Sequence, residues 1–566
     1  MNAAQLTSRV EQLIQPHIEA GDILGLSLAL IQGNDVVYSG GFGKTSTEES
    51  GVPVTPNTLF ALGSVCKTLC AVLVMRLVEA SKINLDTPVI EYIPELKFSN
   101  DDLGKKVTIR HLLSHTSGLP AFGKTWGSRD PDSLKRFVLE QVPYYTFFAQ
   151  PGEIYLYASS AFCIAGYVAE VVTGRYYDDL IREYVFEPLG MTCTSFDPTE
   201  ILTYSVALPH DKTADGSLKV SHQIPYNVSG NPSGFAYGSI LDLTQLAKMF
   251  LNSGRLSNEL LLQPSSLALM TAHQGSLDFL PSTRPLKNCF QKSGLGIFTG
   301  NYRSRAFWGH DGRMPEYLTF LHLFPEDNTA LVVMTNNCDE AALYKVVPQI
   351  YNALLDLPEA PEPNETVIPP AIIQNVEHLE YYVGQYFSGG VFSRVLLVGN
   401  QLMLELENTV LTLFPIGENH FYAYYPEKPH FSVRFLRAFD TRISHVVIAG
   451  RLYERMDIDE TFQSDLITLE TYEGLYKDPS NTRFDQLLQV KLKDEKIIVS
   501  ESGFEMPCTA LSNTLFLCPY GLIEFRYTKS NVPILVWGKA TPYFAINQMA
   551  WKKNKVVQYL AQPYTG

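Results

Sequence analysis

Residues 60–81 read FALGSVCKTLCAVLVMRLVEAS, and the fold turns on how this stretch is read. From Ser64 to Ser81 it is apolar over most of the helical circle. A helix apolar nearly all round is a buried one. Residues i and i+3 share a helix face, so Ser64 and Lys67 point the same way from its first turn. A serine hydroxyl is a weak nucleophile until a base takes its proton. A lysine amine held beside it in a buried setting can act as that base. The positive end of the helix then lies beside any negative charge that develops on the attacked group. Ser-x-x-Lys is common by chance, so its meaning depends on the surroundings.

Upstream, GLSLALIQ, Gly33-Asn34-Asp35 and VVYSGG (25–41) alternate as strand, turn, strand and predict a hairpin. Downstream, 161–173 and 241–251 carry helical periodicity. Strand-like runs follow at 294–299, 304–308, 315–324 and 329–336, with Pro325-Glu326-Asp327-Asn328 turning between the last two. An early hairpin, central helices and late strands predict an α+β catalytic domain: an antiparallel sheet flanked by helices, plus an all-helical region, with the chain ends brought together.

The chain has 566 residues, enough for three or four domains at roughly 150 residues each. With 45% hydrophobic and 18% charged residues it can bury an ordinary core. The net charge of −15 argues against nucleic acid as a partner and against docking on anionic lipid. No run of about 18 apolar residues offers a membrane span. Residues 1–19 read as an amphipathic helix (Leu6, Val10, Leu13, Ile14) and not as a secretory signal. The eight cysteines show no metal-ligand spacing, and Cys66 and Cys70 read as core. The expectation is a reduced, cytoplasmic chain, with a processed periplasmic form as the alternative.

Composition shifts at 357–370, LPEAPEPNETVIPP, where five of fourteen residues are proline and every charge is acidic. This predicts an extended linker. Beyond it the pattern is all β and repeats itself. Tyr382-Val383-Gly384-Gln385-Tyr386 recurs as Tyr472-Glu473-Gly474-Leu475-Tyr476, offset by 90. The strand pair around Gly399-Asn400 returns around Lys493-Asp494, and HVVIAG (445–450) returns as PILVWG (533–538). Short strands at this spacing predict C-terminal antiparallel barrels; two barrels are favoured over one shared barrel. The domains are therefore placed at 1–357 (catalytic), 358–370 (linker), 371–460 and 461–566 (barrels). The aromatic run Phe421-Tyr422-Ala423-Tyr424-Tyr425 reads as packing in preference to a ligand mouth.

Three further motifs accompany Ser64 and Lys67. After Leu85-Asp86-x-Pro88 and Tyr92-x-Pro94 comes TIRHLLSHTSGL (108–119). Pro151-Gly152-Glu153 leads into Tyr155-Leu156-Tyr157-Ala158-Ser159, and Trp308-Gly309-His310-Asp311-Gly312 follows a strand-like stretch. Ser233–Ser239 is glycine-rich and runs into a helix opened by Asp242. In this order they resemble the serine β-lactamase-like superfamily, which holds class C β-lactamases, penicillin-binding DD-peptidases, D-aminopeptidases and related esterases. The resemblance covers roughly residues 7–355. It implies Tyr157 as the phenol that shares proton traffic with Lys67, with Tyr155 the competing candidate. It implies His310 as a group facing the site from the edge strand of the sheet. Gly312 would let the backbone pass close to substrate. The oxyanion hole would be the backbone N–H groups of Ser64 and Arg313. Ser159 stands where the family usually has asparagine, so substrate choice departs from the family pattern. His111 and His115 are spaced as metal ligands can be, but in the resembling family this turn is structural and no metal or other cofactor is used.

The implied function is a serine hydrolase working through an acyl-enzyme on a small-molecule or peptide substrate, an amide with D-residues among the candidates. The two-barrel layout resembles bacterial D-aminopeptidases, in which a barrel loop narrows the site; the corresponding turns here would lie within 477–485 or 503–513. An esterase, acyltransferase or peptide thioesterase on the same residues is the first alternative. True β-lactam hydrolysis is the second, set back by His310 in place of the lysine-type third motif, and a non-catalytic binding protein is the third. Oligomeric state is open, with a homodimer among the options.

Overall fold

The computed structural model describes residues 3–120, 129–276 save 214–216, 222–225 and 258, then 289–358 save 315 and 337–339. Between 378 and 545 it describes the strands given below and part of their connections. The linker 358–370 beyond Pro358 and the boundary at 460/461 lie outside the described residues, as does Cys338.

The first element is helix α1 (Ala3–Glu19), whose Leu6, Val10 and Ile14 are buried as the amphipathic pattern requires. The hairpin follows as β1 (Gly25–Gln32) and β2 (Asp35–Gly43). Helix α2 (Val65–Glu79) begins just after Ser64. The helical region that follows contributes three helices to the site and its support: the short α3 (Ile109–Leu113), α4 (Ser159–Thr173) and α5 (Ile240–Leu251). Then come β3 (Gly275–Ser276), β4 (Phe290–Ser293), β5 (Phe298–Tyr302), β6 (Arg305–Met314), β7 (Tyr317–Phe324) and β8 (Thr329–Thr335), and helix α6 (Glu340–Leu354).

These strands form one eight-stranded sheet in the order β2-β1-β8-β7-β6-β5-β4-β3. Its described ladders are antiparallel, and β1 meets β8 with Leu26 opposite Thr335, so the early hairpin and the late strands do join. Every residue of β7 and of β8 is buried. That requires cover on both faces. On one face lie α1 and α6, with Leu6, Val10 and Ile14 in one core with Val347, Ile350 and Tyr351. On the other lie α2 and α5, whose apolar side chains share the larger core.

Three local expectations are corrected. Residues 294–297 are not strand: Gly296 takes a φ of +68°, its N–H bonds Leu113 O, and its carbonyl accepts from Thr68 Oγ1 at 2.6 Å. Leu295 and Ile297 are apolar because they plug this loop into the core beside α2. The strand expected at 304–308 runs on to Met314, which places His310 inside it. Asp242 does not cap α5. Ser239 does, accepting from Asp242 N at 3.2 Å, while the Asp242 carboxylate binds Cys193 N and Thr194 Oγ1 at 3.0 and 2.7 Å.

The C-terminal part is all strand. β9 (Gly384–Ser388), β10 (Val391–Val398), β11 (Gln401–Leu406), β12 (Thr409–Gly417), β13 (His420–Tyr424), β14 (Phe431–Arg437), β15 (Ile443–Ile448) and β16 (Arg451–Met456) form a closed antiparallel barrel. Phe421 lies in its core, in keeping with the packing reading of that run.

A second sheet follows: β17 (Gly474–Lys477), β18 (Leu487–Lys493), β19 (Lys496–Glu501), β20 (Phe504–Pro507), β21 (Thr509–Ala510), β22 (Leu515–Cys518), β23 (Gly521–Tyr527), β24 (Pro533–Trp537) and β25 (Thr541–Ala545). Its order is β20-β19-β18-β17-β25-β24-β23-β22-β21, so its two ends, β20 and β21, are separated in sequence by Cys508 alone and the sheet is nearly closed.

The sequence repeat is also a repeat of bonds. Tyr386 and Tyr476 each donate a hydroxyl hydrogen bond of 2.8 Å to the carbonyl four residues back, of Tyr382 and Tyr472. The Tyr382 and Tyr472 hydroxyls donate in turn to Asn419 Oδ1 and Asn513 O. Cys508 is joined by a disulfide to Cys518 on β22, which corrects the expectation of a fully reduced chain.

Candidate active site

Between Leu59 and Met75 every residue is buried except Ser64. The helix therefore presents one hydroxyl outward from an otherwise sealed stretch. Ser64 does not use that hydroxyl to cap α2. Its Oγ lies 3.1 Å from Lys67 Nζ, as the i, i+3 spacing predicts. Lys67 is wholly buried. A buried amine needs polar partners, and Lys67 finds its second in the Ser233 carbonyl at 2.8 Å. Ser233 itself is held by its hydroxyl donating to Gly230 O at 2.9 Å. By its letters Ser233–Ser239 is a fold signature only; this contact runs through backbone and is invisible to such a reading.

Lys67 Nζ lies 4.9 Å from the centre of the Tyr157 ring. The Tyr157 hydroxyl has no hydrogen bond to protein among the described residues, so Lys67 meets the ring face and not the phenol oxygen. Tyr155, the competing candidate, packs toward the α1–α6 core, and burial pushes its phenol well above the usual range. Ser159 opens α4, half-buried, with no hydrogen bond from its hydroxyl among the described residues.

His310 comes from β6, which is the fifth of eight strands and not an edge strand. Its ring is 6.2 Å from that of Tyr157 and 4.8 Å from that of Phe298. Nδ1 lies 2.8 Å from the Asp311 carbonyl, which can only accept. Nδ1 therefore carries the proton, and Nε2 of the neutral ring is an acceptor. Burial first, then the Lys67 charge, push the His310 pKa down to about 4. Side chains alternate along a strand. Asp311 accordingly faces the other side and binds His322 Nε2 at 2.7 Å, while His322 Nδ1 meets the Tyr351 hydroxyl of α6. This chain pins the strand from behind.

Two glycines bring the loop that leads into Ser64 onto β6. A Cβ on Gly312 would stand 2.0 Å from Leu62 O, and one on Gly63 would stand 2.6 Å from Arg313 N. The backbone leading into Ser64 thus lies against the backbone at Arg313. The Arg313 side chain turns away to pair with Glu340.

The barrel turns proposed to narrow the site fall partly outside the described residues, at 478–486 and 502–503. Among the described residues the first barrel meets the N-terminal unit. The His445 ring is 5.9 Å from that of Phe148, and a cleft of about 430 Å³ opens between Phe148–Ile154 and the strand residues Arg434–Arg437.

A beta-lactamase family model matches residues 10–346, and the chain belongs to that family. Penicillin-binding protein 4 of Amycolatopsis lactamdurans is 31% identical over 294 residues, 51% of this chain and 74% of that protein. Protein flp of Staphylococcus aureus (strain NCTC 8325 / PS 47) is 25% identical over 334 residues, 58% of this chain but only 62% of flp. Two solved structures share the fold. The octameric penicillin-binding protein homologue from Pyrococcus abyssi has a TM-score of 0.55 at 24% identity, over 79% of this chain and 100% of that one. The D-amino acid amidase from Ochrobactrum anthropi SV3 has a TM-score of 0.52 at 20% identity, over 62% of this chain and 99% of that one. No described helix is long and apolar enough to cross a membrane.

Proposed function

We propose that this protein is a serine hydrolase that cleaves amide bonds of small molecules or short peptides, D-residues included, through an acyl-enzyme on Ser64. The observation that carries the reading is the Ser64 Oγ–Lys67 Nζ contact of 3.1 Å, made by a wholly buried lysine beside a half-exposed serine. The names of the relatives, a penicillin-binding protein and a D-amino acid amidase among them, support the amide class.

In the reaction, Ser64 Oγ attacks the carbonyl carbon and its proton passes to Lys67 Nζ, whose other N–H stays on Ser233 O. The backbone N–H groups of Ser64 and Arg313 hold the oxyanion, with Gly63 and Gly312 allowing their approach. As the C–N bond breaks, the Tyr157 hydroxyl gives a proton to the leaving nitrogen and is reprotonated from Lys67, a transfer that requires the phenol oxygen, which does not meet Lys67 in the free protein, to come into reach when substrate binds. Water then attacks the acyl carbon, passing its proton to His310 Nε2 or, through the Tyr157 hydroxyl, to Lys67; the C–O bond to Ser64 breaks as that proton returns to Oγ, which frees the acid and restores the serine. Residues 1–357 would form the catalytic domain, with 371–460 and 461–566 as barrels that shape access to it. An esterase is the second reading, favoured by Ser159: a short hydroxyl offers an amide substrate less than asparagine does, and esters leave more easily.

The test is intact-protein mass after a fluorophosphonate probe, wild type beside Ser64→Ala, followed by turnover of D- and L-alanine anilides and a short-chain nitrophenyl ester. Labelling confined to wild type is expected, with anilide turnover above that of the ester. Ester turnover alone would make it an esterase. Absence of labelling and of turnover would leave a binding protein.

A further inference from the structure

His115 is a buried residue for which the reaction above has no use. Its φ is +59°, a left-handed backbone that is unfavourable for a residue with a Cβ. Strain of this kind is kept where the surroundings demand a particular geometry. The geometry here is a grip on Tyr157. The His115 carbonyl accepts the Leu156 N–H at 2.7 Å, and its Nδ1 accepts the Ala158 N–H at 3.0 Å. Its ring lies on the Tyr157 ring, with centroids 4.3 Å apart and planes at 28°. One residue thus holds the residue before Tyr157, the residue after it, and its face.

The contacts also fix the tautomer. A backbone amide only donates, so Nδ1 of His115 must be unprotonated and the neutral ring carries its proton on Nε2. His310, on the other neighbouring ring, has the opposite arrangement, with Nε2 as acceptor. Both Nε2 atoms are buried without a hydrogen-bond partner among the described residues. Burial, then the charges of Lys67 and His310, keep the His115 pKa well below its ordinary value. Tyr157 therefore stands beside one imidazole whose remaining nitrogen can only donate and another whose remaining nitrogen can only accept.

We propose that His115 is a positioning residue, which through its Nδ1 lone pair and ring face fixes the Tyr157 ring beside Lys67 and so sets where the Tyr157 hydroxyl stands when substrate is bound. This rests on the reading of Ser64, Lys67 and Tyr157 as the reacting groups.

The experiment is a double-mutant cycle. His115→Phe keeps a ring face and loses the acceptor; His115→Asn keeps an acceptor and loses the ring. Each is made in wild type and in Tyr157→Phe, and kcat and KM are read on the anilide or ester that wild type turns over, beside the rate of Ser64 labelling. His115→Phe should lower kcat and the labelling rate at least tenfold with KM within twofold, and His115→Asn should recover part of the loss. In the Tyr157→Phe background both should change the rate less than twofold, because a residue acting through Tyr157 has nothing left to position. An equal loss in both backgrounds would show a merely structural role and overturn the proposal, as would a wild-type rate in His115→Phe. If His115→Phe fails to fold, His115→Asn carries the cycle. A second measurement needs no activity. In protein with 13C-labelled tyrosine, the Tyr157 ring signal, assigned by its loss in Tyr157→Phe, should move in both His115 variants. If wild type fails to label at Ser64, the hydrolase reading falls and the proposal falls with it; if it labels but the Tyr157 signal is unchanged in both His115 variants, the grip on Tyr157 is overturned while the hydrolase reading stands.

Discussion

The backbone of Gly63 rests directly on that of Arg313, so that a methyl group on Gly63 would come within 2.6 Å of the Arg313 nitrogen. Gly63 also has a φ of +52°, where a side chain is strained. Gly63→Ala should therefore separate the two amides proposed to hold the oxyanion. Losing such a donor costs on the order of a hundredfold in rate. The strain itself costs about 1 kcal/mol of stability. Labelling kinetics at Ser64 beside thermal melts check both, and an undiminished labelling rate would remove Arg313 from the site.

Lys67→Met should separate activity from stability. Exchanging a buried ionisable group for an apolar one of similar volume is often neutral or stabilising, while the orphaned Ser233 carbonyl takes back about 1 kcal/mol. Urea unfolding should thus shift by no more than about 1 kcal/mol. Ser64 labelling should fall by roughly a thousandfold or more. A variant that still labelled at the wild-type rate would show that another group takes the proton.

The low pKa of His310 makes the catalytic part acid-sensitive. The folded value, about 4, lies below the ordinary 6.5, so the folded state binds this proton less readily than the unfolded chain does. The stabilising contribution is thus present above pH 6.5 and is lost as pH falls toward 4. Linkage gives roughly 2 kcal/mol lost between pH 7 and 4.5. His115, shifted the same way by burial, adds to the loss. Urea midpoints over that range should fall less steeply in His310→Gln than in wild type; parallel curves would refute the assignment.

The paired tyrosine hydroxyls should contribute equally to the two C-terminal sheets. Tyr386→Phe and Tyr476→Phe each remove one buried hydrogen bond and leave a carbonyl unserved, at a cost of about 1 kcal/mol. Limited proteolysis after residue 378 should accelerate in both, with Ser64 labelling as in wild type. A loss in only one would mean that the two copies have diverged in how they are held.

What could be read in the sequence was what local geometry decides. Ser64 and Lys67 meet because they are three residues apart on a helix, and the β1–β2 hairpin follows from its turn residues. Tyr382 and Tyr386 stood out because the same letters return 90 residues later. What escaped was contact made by backbone or across long separations. The Ser233 carbonyl reaches Lys67 over 166 residues, and a carbonyl leaves no mark in the choice of side chain. Residues 294–297 have the apolar letters of a strand, but Gly294 and Gly296 bend them into a plug between helices. The place of β6 inside the sheet depends on β3 to β5, whose letters are partly polar. Pairing of Cys508 with Cys518 cannot be deduced from the spacing of eight cysteines.

Helices α1 and α6 lie side by side on one face of the first sheet. The polypeptide thus enters and leaves that unit at neighbouring points, with β1 and β8 zipped together between them. A unit closed in this way completes its own sheet before the chain goes on to what hangs from its exit. The ladders that set the register of His310 opposite Leu321 are all made before Leu354. The twinned tyrosines at 382–386 and 472–476 show one fastening used twice in succession beyond that exit. The reaction centre and its attachments are free to evolve at different rates.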